Sequence, residues 1–169
     1  MKAQPYTSRS EDNIPQSELI SPVVNSYVKP IGGFWTSTYD DELKSDWYQW
    51  CKSENFNFPP KSMYKLTPKA DAKILVIDTM LDLIEAYQVY PMDRPEELSK
   101  TSKWLDFEKM SENYDAIHLT QEGQWRTRWS GGDILAPITD ETNINLYGWD
   151  CECTLWFRWC FEETERIDE

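Results

Sequence analysis

The sequence predicts an α+β domain. Roughly five or six segments carry strand signals and roughly three or four carry helical ones. The two kinds do not alternate regularly, which argues against a doubly wound sheet. The length of 169 residues suits one domain spanning 1–169, long enough to bury most of its apolar surface.

The elements follow in order. Residues 9–31 are rich in Ser, Pro, Asn and acid and read as a long connection with little regular structure. Gly32 and Gly33 lead into the β-formers Phe34 to Thr38, a turn into a short strand. Leu43, Trp47, Trp50 and Cys51 recur at helical spacing, so a helix is expected over 41–53, its start capped by the acid run Asp40, Asp41 and Glu42. Residues 63–66 and 73–77 read as strands. The second contains the apolar run Ile74 to Ile77, of the kind that sits centrally in a sheet. Asp78 or Thr79 can cap the next helix, whose stripe is Met80, Leu83, Ile84 and Tyr87 and which Pro91 stops. Pro95 can open a short helix over 95–101, and 105–113 reads as another. Tyr114 to Thr120 is a strand signal. Residues 121–143 read as a long loop, usually a functional or mobile feature. The last strand is expected from about Leu146 to Phe161, and 162–169 as an acidic, solvated tail.

Composition narrows the function classes. Fourteen per cent of residues are aromatic, including 9 Trp and 9 Tyr, which supplies large buried area per residue. The formal net charge of -13 argues against broad non-specific nucleic-acid binding, because phosphate contacts need Lys and Arg. It leaves room for a local basic site. No apolar run approaches a membrane span, and the first residues lack the apolar core of a signal peptide. Cys51, Cys151, Cys153 and Cys160 show no secreted disulfide framework and read as reduced, buried thiols of a cytoplasmic protein. A metal reading of Cys151 and Cys153 lacks support from a second paired motif, and His118 is the only histidine. His118 alternates with Ile117 and Leu119 and reads as a satisfied structural histidine. Gly131 and Gly132 lack the Lys and Ser/Thr of a phosphate-binding loop.

The last expected strand carries the sharpest pattern. Successive side chains of a strand point to opposite faces. One face holds Cys151, Cys153, Leu155, Phe157, Trp159 and Phe161, a core face. The other holds Asp150, Glu152, Thr154, Trp156, Arg158 and Cys160. That second face is either a solvated exterior or a cleft wall; Trp156 favours the cleft, where carboxylates beside aromatics act as acid, base or electrostatic partner. The preceding segment holds Trp125, Arg126, Arg128 and Trp129. This basic-aromatic cluster either stacks on a base and pairs a phosphate, or anchors its segment to the core while the arginines meet nearby acids.

Three segments together resemble the ADP-ribosyltransferase superfamily: Gln4 to Ser8, Lys29 to Ser37, and Tyr147 to Trp156. In that superfamily an early strand holds a His or Arg beside a hydroxyl residue, a second carries an aromatic-Thr-Ser motif, and a late strand carries a catalytic Glu. The run Gly33, Phe34 and Trp35 ahead of Ser37 also looks like small toxin-like or phage-encoded members. The resemblance implies an α+β split core of two small packed sheets with peripheral helices and NAD bound in the cleft between them. Glu152 would stabilise the oxocarbenium-like charge that develops as nicotinamide leaves. Asp150 would help activate the acceptor, and Ser37 would support the ribose or orient Glu152. Tyr6, Thr7, Trp35, Thr36, Ser37 and Tyr39 would contact NAD. The segment with Trp125, Arg126, Arg128 and Trp129 would bind the target. The pattern departs at Gln4 and Pro5, where a His or Arg is expected.

The resulting expectation is an NAD-dependent transfer of ADP-ribose to RNA, DNA or protein, in a toxin or phage-defence role that implies an antitoxin or inhibitor protein as a further partner. The contrasting expectation is a non-catalytic acidic protein, such as a phage-encoded inhibitor, that engages a basic partner. A third reading has water as the acceptor.

Overall fold

A computed structural model describes residues 20–56, 63–93, 103–130 and 143–167, with Ser17 and the backbone of Gln4–Thr7. The strands are β1 (Gln4–Thr7), β2 (Ser21–Val24), β3 (Ile31–Thr36), β4 (Met63–Pro68), β5 (Ile74–Ile77), β6 (Ala116–Leu119), β7 (Cys153–Trp156) and β8 (Phe161–Ile167). The helices are α1 (Asp46–Ser53), α2 (Met80–Val89), α3 (Phe107–Asn113) and α4 (Gln121–Thr127). The described residues therefore form an α+β structure with two small sheets. One has strand order β1-β4-β8, the other β2-β3-β7-β6-β5.

The larger sheet is mixed. Only β5 and β6 run parallel, joined by the stretch containing α2 and α3, as a parallel pair requires a long crossover. β7 is its centre, antiparallel to β3 and β6. All four residues of β7 are buried, so both faces of the sheet are covered. On one face Cys153 and Leu155 join Ile77, Leu83, Phe107, Ile117 and Trp149 under the helices. On the other, Phe34, Ala116 and Trp156 meet Leu66 and Phe161 of the smaller sheet. The Trp156 and Phe161 rings lie 4.4 Å apart.

Local chemistry accounts for the element ends. Thr79 and Asp82 form a reciprocal capping box at α2. Asp106 caps α3 and Thr120 caps α4 through their side chains. Gly32 and Gly33 have φ of +82° and +65° and sit inside β3, at an irregularity in its pairing with β2; a Cβ on Gly32 would stand 2.3 Å from the Pro22 carbonyl oxygen.

Several expectations are corrected. The run Ile74 to Ile77 is an edge strand, not a central one, and Val76 is half exposed. Part of the supposed connection 9–31 is β2, whose apolar content of Val23 and Val24 is too short to announce itself. Ser45, not the acid run, caps α1; Asp40 instead accepts the Glu42 and Leu43 amides in a turn. The expected strand from Leu146 to Phe161 is broken: residues 157–160 leave the larger sheet, and β8 begins in the other. Of the residues expected to be a solvated tail, 162–167 belong to β8, paired along β4, with four of its carboxylate and guanidinium residues exposed; 168–169 lie outside the described residues. The first seven residues of the supposed loop 121–143 are helix α4. Its signal is weak because the segment is short, holds Gly123 and Thr127, and has Trp125 as its one large apolar residue, too little for an apolar stripe. The expected helix over 95–101 lies outside the described residues.

Candidate functional site around Glu152

Asp150, Cys151 and Glu152 form a turn leading into β7 rather than part of the strand itself. The turn brings Glu152 to the end of β3. The register pairs Thr36 with Thr154, so the residues just after β3 face those just before β7. Glu152 is 7% exposed. Its carboxylate accepts the Ser37 hydroxyl at 2.7 Å, the Thr38 hydroxyl at 2.7 Å and the Thr38 amide at 2.9 Å. Hydrogen bonds to a charged group are each worth about 1.5–3 kcal/mol, and they offset the cost of burying it. A carboxylate has about four acceptor sites, so three donors leave room for one more partner.

Other groups close around it. β6 lies beside β7, and its register sets His118 opposite Thr154. His118 Nδ1 is 2.7 Å from the Thr154 hydroxyl and 3.5 Å from Glu152 Oε1. Burial holds the imidazole below its usual pKa, against the upward pull of the Glu152 and Asp78 carboxylates. Asp46 opens α1, whose Trp47 amide donates to the Ser37 hydroxyl at 3.3 Å. Burial raises the Asp46 pKa, Glu152 raises it further, and a hydrogen bond from Gln121 opposes both. The half-buried Cys151 thiol is pushed up to about 12, first by burial and then by Glu152. The arrangement is a fixed, nearly dry carboxylate with a neutral imidazole and a second carboxylate close by. Such preplaced charge can stabilise a cation that forms against it.

The structure brings Ser37 and Glu152 together and disperses other predicted residues. Asp150 is half-buried, and its backbone carbonyl lies 3.5 Å from Gln124 Nε2; Asp46 is a further carboxylate, and its own pKa is raised in part by the Glu152 charge. Thr36 is buried, and its hydroxyl accepts the Trp156 indole N–H at 2.9 Å. That bond accounts for the buried Trp156, whose own side chain is core between the sheets and neither solvated nor lining a cleft. Trp35 packs in the helix-covered core, edge-on to Trp149 at 4.8 Å, so it lies on the opposite face from Thr154. Arg158 lies off the strand, exposed, binding the Ser111 carbonyl and facing Asp115. Tyr39 is partly exposed beyond the end of β3, with Lys65 of β4 4.8 Å over its ring. The β1 backbone pairs with β4, but the Tyr6 and Thr7 side chains lie outside the described residues. Trp125, Arg126, Arg128 and Trp129 lie on or just beyond α4.

Thr38, His118, Thr154 and Asp46 were missed as site residues. Thr38 extends the hydroxyl run of Thr36 and Ser37 and was visible as such. His118 reads as structural until the strand order sets β6 beside β7. A cavity of about 400 Å³ lined by Val23, Phe157, Arg158 and Trp159 lies elsewhere and holds none of the site residues. The chain matches no family model, no curated protein and no solved structure.

Proposed function

We propose that the protein is an ADP-ribosyltransferase that uses NAD to modify a macromolecular target, with Glu152 as its central catalytic residue. The observation that carries this reading is the buried Glu152 carboxylate held by Ser37 and Thr38 at the ends of adjacent strands. A side chain fixed by three donors cannot swing away, so its charge is in place before a reaction begins.

The chemistry needs such a group. In the transfer, the bond between the ribose anomeric carbon and nicotinamide breaks, and nicotinamide leaves with the bonding electrons. Positive charge builds on the ribose. A target nucleophile then bonds to that carbon and loses its proton. Glu152, with its remaining acceptor site, would hold a ribose hydroxyl and face that charge. Ser37 and Thr38 would orient Glu152, and Tyr39 with Lys65 would offer an aromatic face and a cation just beyond the end of β3. Asp46 replaces Asp150 in this reading as the nearby acid. The two-sheet α+β architecture is compatible with the split core that the sequence resembles. A toxin or phage-defence role belongs to the same reading.

The test is incubation of wild type and Glu152→Gln with labelled NAD and cell extract. Labelling by wild type and its loss in Glu152→Gln are expected. Equal labelling, or none by either, would remove the catalytic claim. Release of nicotinamide without labelling would make water the acceptor.

The net charge of -13 favours one second reading, a non-catalytic protein that engages a basic partner. It expects no thermal shift with NAD.

A further inference from the structure

We infer that Trp129 and Tyr147, with Arg128, form a stacking platform for single-stranded nucleic acid. This deepens the transferase reading by naming its target class, and the binding itself does not depend on that reading.

The two aromatic residues come from separate segments. Trp129 follows α4. Tyr147 lies in the turn that leads to Glu152. The Leu146 amide donates to the Thr127 carbonyl at 2.8 Å and Asn145 Nδ2 to the Ser130 hydroxyl at 2.8 Å, so the segments are tied side by side. The Trp129 and Tyr147 ring centroids are 5.1 Å apart with planes tilted by 38°. Yet the residues remain 62% and 51% exposed. A pair of rings held together by one backbone and one side-chain hydrogen bond and left open to water is a preorganised surface, not a core contact.

Charge selects the occupant. The Arg128 guanidinium lies 5.9 Å from the centre of the Tyr147 ring. Lys29 donates to the Gly148 carbonyl at 3.2 Å but stands over the Trp35 ring, 4.9 Å from its centre, and is engaged there. Arg126 is drawn instead to Glu122 at 2.7 Å. Two flat rings with the Arg128 guanidinium over one of them match a base and its neighbouring phosphate. An extended peptide would need a sheet edge or an apolar groove. Trp125, 74% exposed and four residues before Trp129, offers a further surface for a second base. Tyr147 is five residues from Glu152, a chain reach of at most about 18 Å. A strand held on the platform would therefore lie within a few nucleotides of that carboxylate.

The acidity of the whole chain sets how the binding behaves. One cation at the rings can release few counterions, so log affinity should fall with log salt at a slope of about −0.7 for a single strand. Stacking, which salt does not screen, carries the rest.

The test is fluorescence anisotropy of a labelled eight-nucleotide oligothymidylate titrated with the full chain, without NAD, at two salt concentrations. Wild type should bind with the shallow slope. Trp129→Ala and Tyr147→Ala should each weaken binding about 10-fold or more, Trp129→Phe should retain most of it, and Arg128→Gln should flatten the slope. Each variant is compared at matched thermal stability. Glu152→Gln should bind as wild type, which separates this inference from the transferase reading. No binding, indifference to both alanine variants, a preference for a basic peptide, or displacement of the oligonucleotide by NAD would each overturn it. The last would make the platform part of the NAD site.

Discussion

The Ser37 hydroxyl donates to the Glu152 carboxylate at 2.7 Å across 115 residues of chain. The same hydroxyl receives the Trp47 amide at 3.3 Å, so one side chain links the end of β3, the start of α1 and the turn before β7. Ser37→Ala should therefore destabilise the protein by about 1–3 kcal/mol, because it strips donors and acceptors from buried partners. Part of that loss belongs to Trp47. A double-mutant cycle with Glu152→Ala isolates the rest, and the coupling between the two should be about 1–3 kcal/mol in urea unfolding. Additive losses would mean the bond contributes nothing of its own.

How far this site was legible depends on sequence distance. The hydroxyl run at Ser37 and the acid at Glu152 stood out because each sits beside a strong β pattern. Their meeting rests on β3 and β7 being neighbours, which the alternation of either segment does not encode. His118 shows the converse. Its spacing marked it as lying opposite Ile117 and Leu119, and that was right, but the opposite face proved to be the one that carries Thr154 and Glu152. The last strand was misread because its alternation continues through 157–160 although the chain changes sheets there. Periodicity is blind to such a switch, since both sheets need an apolar face.

His118 gives the site a pH response. Its folded pKa lies below the ordinary 6.5 because burial disfavours the cation more than Glu152 and Asp78 favour it. Below about pH 6.5 the unfolded chain takes up a proton that the folded one refuses. The neutral imidazole thus contributes stability that is present above that pH and is lost as pH falls toward the folded value. Between pH 7 and pH 5, wild type should lose more stability than His118→Gln, with urea midpoints as the measure. Equal losses would show that the imidazole does not titrate differently on folding.

Gly123 decides whether α4 can lie where it does. A Cβ there would stand 2.1 Å from the Ile77 carbonyl oxygen, a backbone atom that cannot swing aside. In an isolated helix the change to Ala would stabilise by about 1 kcal/mol. Here Gly123→Ala should cost about 2–3 kcal/mol by forcing the helix off β5, and lower Tm by about 4–12 °C. An unchanged or higher Tm would mean that α4 does not pack this closely. The same variant should also weaken Gln124, whose amide reaches the Trp149 carbonyl at 3.4 Å and so supports the turn before Glu152.

The Cys151 thiol offers a reporter of the charge on Glu152. Its pKa of about 12 makes thiolate at pH 8 scarcer than in an unfolded chain by a factor on the order of 10³. Cys160, raised to about 11, and the almost wholly buried Cys153 are suppressed as well, chiefly by burial. Native protein should therefore alkylate slowly at all three positions and quickly in urea. Glu152→Gln removes the carboxylate that is the second cause of the Cys151 shift, so the thiol pKa should fall and its alkylation should quicken. Loosened structure would also speed labelling, but at every thiol. Gly123→Ala supplies that comparison, because it destabilises the protein while leaving the Glu152 charge in place. Faster modification at Cys151 in Glu152→Gln, beyond that seen in Gly123→Ala and without a matching rise at Cys160, would show that the buried carboxylate is ionised at pH 8. Equal acceleration at both thiols would assign the effect to opening of the fold instead, and would leave Glu152 without the fixed negative charge that the transferase reading needs.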